Sequence, residues 1–247
     1  MHNIILKSIL TIPLFFTVLF CGEPLSIGFW NAENLFDLIN DPNKNDDEFA
    51  LGGKKNVDQK IYDLKIKNCS EVVSDLDVDI LGLCEVENIK VLYDLNIAYP
   101  KRNYDIIHYD SPDNRGIDNA LLYDKSRFSI ISSKAILNSL DNGGKTRDIL
   151  YVLGEFQNTY LHIFINHWPS NYGGREKSIP KRTSTAKLVI NEIEKIRQND
   201  KHAEIILLGD FNEDPNDTNM QMLENAGLHS LMKPLMRKPK IGTYVYR

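Results

Sequence analysis

The chain has 247 residues, a formal net charge of −5 and a pI of about 5.7. No Gly/Ser- or Pro-rich linker and no internal repeat divides it, so one domain is expected. The acidic balance argues against a basic nucleic-acid-coating surface, but not against a metallo-enzyme that gathers carboxylates at one site.

The N-terminus reads as a separate piece. Lys7 precedes an apolar core from Ile9 to Phe20, followed by Cys21 and Gly22. That core is short for a membrane span and fits an export signal over residues 1–21. Cys21–Gly22 resembles a lipid-attachment site, although Phe20 is bulky where such motifs carry a small residue. The protein is therefore expected to be secreted or held on the outer surface, with Cys21 as the point of any lipid anchor. An uncleaved anchor would also leave the domain outside the cytoplasm.

Residues 25–30 (LSIGFW) form an apolar run of strand length. Over 57–76, Val57, Ile61, Leu64, Val72 and Leu76 recur at helical spacing with Lys, Asp and Glu between them. Strand-like runs follow at 79–84 (DILGLC), 104–109 (YDIIHY), 119–123 (NALLY) and 128–137 (FSIISSKAIL). ILYVLGEFQ and YLHIFIN flank Asn158–Thr159 as an antiparallel hairpin. Residues 182–197 read as an amphipathic helix, 204–209 (EIILLG) as a buried strand and 217–226 as a further helix. Some strands alternate with helices and others follow one another directly. That is a mixed α/β pattern, fitting two packed sheets with helices outside, and not a doubly wound parallel sheet. Loops at 40–56, 138–147 and 169–180 fall at its edges. Cys69 and Cys84 belong to no CxxC pair and read as small buried side chains; a disulfide between them stays open.

One device recurs four times. LSIGFW ends at Asn31, DILGLC at Glu85, YLHIFIN at His167, and EIILLG at Asp210 and Asn212. Each could be a cap, a turn or a satisfied loop residue by itself. Together, buried strands would deliver chemically apt side chains to one rim and fix them there. Glu85 and Asp210 supply hard oxygens suited to Mg²⁺, Mn²⁺ or Ca²⁺ and not to zinc. A divalent ion offsets phosphodiester charge, an imidazole such as His167 exchanges a proton near neutral pH, and amides such as Asn31 and Asn212 bond phosphate oxygens without adding charge.

The ordered set FWNAENLF, LGLCEVEN, RGIDNALLY, NHWPS and LLGDFNEDP resembles the endonuclease/exonuclease/phosphatase superfamily, with its deoxyribonuclease I-like fold, over residues 25–247. The nearest flavour looks like bacterial exported nucleases. The resemblance implies a four-layer αββα sandwich and Mg²⁺-dependent phosphoester hydrolysis. It assigns Asn31 and Glu85 to metal, Asn31 also to phosphate, and His167 to the leaving group or phosphate. Asp210 would position the attacking water, Asn212 would stabilise the transition state, and Arg147 would contact phosphate, with Arg115 as a weaker candidate. One departure matters. The family pattern continues through further strands to an Asp-His pair that supplies the general base, whereas here no Asp follows Asp217 and no His follows His229. The chain as written is therefore expected to lack C-terminal strands, to expose strand edges and to hydrolyse little. The expected partner is nucleic acid, above all DNA, and the expected state a monomer. A lipid or small phosphoester as substrate and a non-catalytic binding remnant are the alternatives.

Overall fold

Alternating apolar side chains draw eight strands into two sheets. The first holds β1 (Ile27–Leu35), β2 (Ile80–Val86), β3 (Asp105–His108) and β4 (Asp118–Tyr123) in the order β1-β2-β4-β3. The second runs in chain order through β5 (Ser129–Ile136), β6 (Ile149–Phe156), β7 (Thr159–His167) and β8 (Glu204–Asp210). Only β1–β2 and β7–β8 pair in parallel. The computed structural model describes residues 23–99, 101–140 and 143–237. The expected export signal with Cys21, and the chain beyond residue 237, lie outside them. Among the described residues no helix is long and apolar enough to cross a membrane.

Between the sheets, Ile27, Phe29, Ile80 and Leu121 meet Val152, Ile163, Ile165, Ile206 and Leu208. Outside the first sheet, α1 (Gln59–Leu76) and α2 (Ile89–Ala98) pack Ile66, Cys69, Val73, Val91 and Leu95 on Leu81, Leu83, Ala120 and Leu122. Outside the second, α3 (Arg175–Asn199) and α4 (Thr218–Asn225) pack Ala186, Val189, Ile193 and Leu223 on Phe164 and Trp168. This is the expected αββα sandwich. Each fully buried aliphatic contributes roughly 1.5–3 kcal/mol.

Three local readings need correction. α1 forms, but buries Tyr62, Ile66, Cys69 and Val73, while Ile61, Leu64 and Leu76 stay exposed. Its rotation follows partners that hydropathy does not count. The Tyr62 hydroxyl donates to Asp94, and the Lys65 ammonium donates to the carbonyls of Ala32 and Glu33. α2 was not expected at all. Exposed Ile89, Tyr93 and Ile97 stand opposite buried Val91, Leu92 and Leu95, so the segment is apolar all round and its period is hidden. α3 starts at Arg175, ahead of the expected 182, and runs through Pro180. There the Ser178 hydroxyl donates to the Arg175 carbonyl, and Arg182 donates to Ser178 Oγ, supporting a first turn that proline weakens. The hairpin turns on Gln157 and Asn158, both in the left-handed conformation that two-residue β-turns favour. Both described cysteines are free thiols, Cys69 on the helical side of the first sheet and Cys84 at the end of β2.

Candidate active site

Register decides which strand-end side chains meet. On β1 the inward residues run Ile27, Phe29 and then Asn31. On β7 they run Ile163, Ile165 and His167, and on β8 Ile206, Leu208 and Asp210. The two-residue period of a strand therefore carries all three polar groups to the same rim of the sandwich. β2 breaks the rule. Its inward parity runs through Ile80 and Cys84, which would send Glu85 outward. A bulge between Cys84 and Val86, with Glu85 at φ 58°, turns the carboxylate in. A matching irregularity in β1 holds Glu33 and Asn34 in the same left-handed region (φ 56° and 62°). Three non-glycine residues in strained conformations at one spot are the mark of a site held by its surroundings.

The bulges are used. Asn34 N–H donates to Glu85 Oε2 (3.0 Å), and Glu33 N–H to Asn31 Oδ1 (2.8 Å). The Asn31 amide nitrogen then sits between two acids, donating to Glu85 Oε1 (3.2 Å) and Asp210 Oδ2 (3.1 Å). His167 Nε2 lies 3.6 Å from Glu85 Oε1. Asp210 Oδ1 accepts Asn212 N–H at 3.0 Å, and the Asn212 side chain donates to the Trp168 carbonyl at 3.1 Å. One neutral amide thus links both sheets and two carboxylates. Neither carboxylate has a lysine or arginine partner among the described residues.

Close packing sets the floor. A Cβ on Gly209 would fall 2.5 Å from the Asn166 carbonyl oxygen, so only glycine lets β8 approach β7 this tightly one residue before Asp210. Asn166 donates to the carbonyls of Phe164 and Leu208 and accepts from Trp168 Nε1 (3.1 Å), fixing the strand pair behind His167. Cys84 lies beneath the acids. Burial pushes its thiol well above the ordinary value, and Asp210 and Glu85 add to the rise. His167 is buried; burial first, then the fields of Arg147 and Arg115, hold its imidazole well below the usual histidine range and therefore neutral. Its Nδ1 has no hydrogen-bond partner.

The two arginines occupy different places. Arg147 is buried, donating to the Trp168 carbonyl (2.6 Å) and approaching Asp113 Oδ2 (3.4 Å), with Nε unpartnered. Arg115 is half exposed, with Nε 3.4 Å from Asp113 Oδ1. The structure thus brings Asn31, Glu85, His167, Asp210 and Asn212 to one rim, puts Arg147 beneath it and leaves Arg115 at its margin. Asp113, Asn166 and Asn171, which donates to the Asn212 carbonyl at 3.0 Å, also shape the rim. Asp113 and Asn171 sit in loops outside the stretches that carry the resemblance, and Asn166 opens the NHWPS stretch but points outward, so its sequence context assigned it no role.

Two further polar groups lie nearby. His108, Asp110 and Asp118 bring ligand atoms within 4.8 Å of one another. Asp118 is already satisfied there, accepting from Ser111 N–H (2.8 Å) and lying 3.1 Å from His108 Nε2. Glu87, just beyond β2, faces Asp37 and Asp46. Burial, reinforced by those two acids, pushes its carboxyl up to about 8.

A family model described as "Endonuclease/Exonuclease/phosphatase family" matches residues 26–247. The chain belongs to that family. Solved structures of similar fold include TDP2 from C. elegans, at 18% identity and a TM-score of 0.55, covering 77% of this chain and 48% of that one. An endonuclease/exonuclease/phosphatase family protein from Bacteroides thetaiotaomicron matches at 20% identity and a TM-score of 0.58, covering 82% and 69%. D. rerio TDP2 complexed with a single-strand DNA product matches at 19% and 0.52, covering 82% and 64%. The chain therefore spans about half the length of the C. elegans protein it matches. A search of curated proteins returned no match.

Proposed function

We propose that the protein is a metal-dependent phosphodiester hydrolase acting on nucleic acid, DNA in the first instance, outside the cytoplasm. The observation that carries this reading is the Asn31 amide held between Glu85 and Asp210, with neutral His167 beside Glu85. Two carboxylates on one rim without a basic partner are a donor set for a hard divalent cation. Glu85 and Asp210 would hold Mg²⁺, with Mn²⁺ and Ca²⁺ as the oxygen-seeking alternatives. When bound, the ion supplies charge neutralisation and polarisation of the P–O bond.

The remaining roles fall to the chain itself. Asp210, aligned by Asn212 N–H and Asn31, orients the attacking water. His167, kept neutral by burial, donates a hydrogen bond to a phosphate oxygen without adding charge. Arg115, at the exposed margin, meets a phosphate, while buried Arg147 positions the Trp168 carbonyl and Asn212. β1 and β8, the strands carrying Asn31 and Asp210, have no outer strand partner among the described residues.

The support from relatives is indirect: the D. rerio TDP2 structure contains a single-strand DNA product, and fold likeness alone does not transfer a substrate. The test uses labelled single- and double-stranded DNA, sphingomyelin and inositol phosphates, each with Mg²⁺ and with EDTA. It is run on the wild-type protein and on Glu85→Gln. Mg²⁺-dependent DNA cleavage, lost in Glu85→Gln, is the expected result. Cleavage of the lipid or inositol substrate alone would replace DNA as partner. No metal-dependent cleavage of any substrate would leave a binding role. Export is checked by fractionation and by the mass of the mature N-terminus, with loss of residues 1–20 or 1–21 expected, and the monomeric state by light scattering.

A further inference from the structure

α3 carries a buried arginine that meets both loops leaving the rim. The Arg182 side chain is 0% exposed and that of its partner Glu213 2%. Arg182 Nε donates to Glu213 Oε1 at 2.8 Å, and Nη1 donates to Ser178 Oγ at 2.7 Å and to the Pro169 carbonyl at 3.4 Å. Glu213 Oε1 also accepts from the Asn219 amide (2.6 Å), whose Oδ1 accepts from the Thr183 hydroxyl (2.8 Å). Pro169 stands two residues after His167, and Glu213 directly follows Asn212, three residues after Asp210. One guanidinium therefore ties both site-bearing loops to one helix.

Stability alone does not account for this arrangement. Taking two charges out of water is costly, and apolar side chains of similar volume often pack as stably. Glu213 Oε2 has no hydrogen-bond partner, so the carboxylate is not fully compensated. What a guanidinium offers is direction: its donors lie in one rigid plane and fix the groups they meet. Direction is needed here. Asn212 holds a left-handed backbone (φ 51°) while its N–H reaches Asp210 Oδ1 and its side chain reaches the Trp168 carbonyl. From the other loop, the Asn171 amide meets the Asn212 carbonyl.

We propose that Arg182 and Glu213 form a positioning pair, which sets the spacing of the loops after β7 and β8 and through them the placement of Asp210 and Asn212 opposite His167. The pair acts through the loops that it holds. The proposal rests on the hydrolase reading of the rim.

The test replaces the pair by neutral side chains of similar size. Arg182→Met/Glu213→Gln removes both charges yet leaves Asn219 an acceptor, so Tm should stay within roughly 5 °C of wild type. On the substrate that the wild type cleaves with Mg²⁺, kcat should fall roughly 30-fold with KM nearly unchanged, since orientation and not binding is lost. Mn²⁺ affinity, measured by calorimetry without substrate, should fall roughly 10-fold, because Asp210 is no longer held. Arg182→Lys keeps the charge but not the fork. It should show both losses in milder form, and it carries the test if the neutral pair fails to fold. A folded variant of either kind with wild-type kcat and Mn²⁺ affinity would make the pair a stability element only and overturn the proposal, with the hydrolase reading intact. Activity lost only in step with the folded fraction would do the same. Mn²⁺ affinity decides the matter where no cleavage is detected. A wild type that neither binds Mn²⁺ nor cleaves any substrate overturns the hydrolase reading itself, and the proposal with it.

Discussion

The two ends of β2 handle buried acid in opposite ways. At its start, Asp79 accepts from Ser26 N–H and Oγ (2.8 Å each) and from Arg102 Nη1 (2.7 Å), with Arg127 Nε at 3.3 Å. Asp77 and Asp124 also pair with Arg102. Burial pushes the Asp79 carboxyl up, but these hydrogen bonds outweigh it and bring it down to about 2. At its other end, six residues on, Glu85 and its neighbour Asp210 from β8 meet only amides and a neutral imidazole. Arginines are present at that end too, yet Arg147 and Arg115 turn to Asp113 and leave the rim acids alone. One end has its charges balanced by the fold. The other keeps them unbalanced for something the fold does not supply, which is how a stability network differs from a reactive site.

The sharpest way to break this comparison is to neutralise each end. Glu85→Gln or Asp210→Asn should lower kcat/KM for DNA by roughly 10³-fold or more, with Tm in EDTA unchanged or raised because a charge is relieved. A large loss of Tm would mean that the rim acids serve stability after all. Asp79→Ala should do the reverse. It leaves Ser26, Arg102 and Arg127 with fewer partners and should cost about 3 kcal/mol in chemical denaturation, with kcat intact at a temperature where the variant is folded.

Acid titration sharpens the same contrast at smaller scale. The Asp79 pKa is about 2 in the fold against 3.8 unperturbed. A depressed folded value means stability present above the unfolded pKa and lost as pH falls through the folded one. Wild type should therefore lose about 2 kcal/mol between pH 4 and pH 2 from this group. Asp79→Asn should lack that component, so the two unfolding curves converge below pH 2. Parallel curves down to that pH would remove Asp79 as the anchor of this end.

How much of this was readable beforehand follows from the same physics. Asn31, His167 and Asp210 continue the inward register of apolar strands, and a period of two is visible in a sequence. Glu85 was readable as a strand end, but the left-handed bulge that turns it inward was not, because φ at a non-glycine residue leaves no trace in residue order. The Asp79 network joins positions 26, 79, 102, 124 and 127, and charged pairs that distant share no spacing. The rotation of α1 turned on the Tyr62 hydroxyl and its Asp94 partner, a tertiary contact that a hydropathy period cannot contain.

The arginines give the smallest and most discriminating test. If Arg115 is the exposed phosphate contact, Arg115→Ala should raise KM for DNA about 10-fold, an effect that shrinks at high salt. It should leave kcat and Tm nearly unchanged, since its bond to Asp113 is long and half exposed. Buried Arg147 acts through the Trp168 carbonyl, which also receives the Asn212 amide. Arg147→Lys should therefore lower kcat more than it raises KM, and lower Tm as well, because an ammonium cannot reproduce two directed guanidinium contacts. The opposite pattern, with Arg115→Ala silent and Arg147→Lys changing KM alone, would exchange their roles. It would also mean that the rim draws its positive charge from beneath and not from its margin.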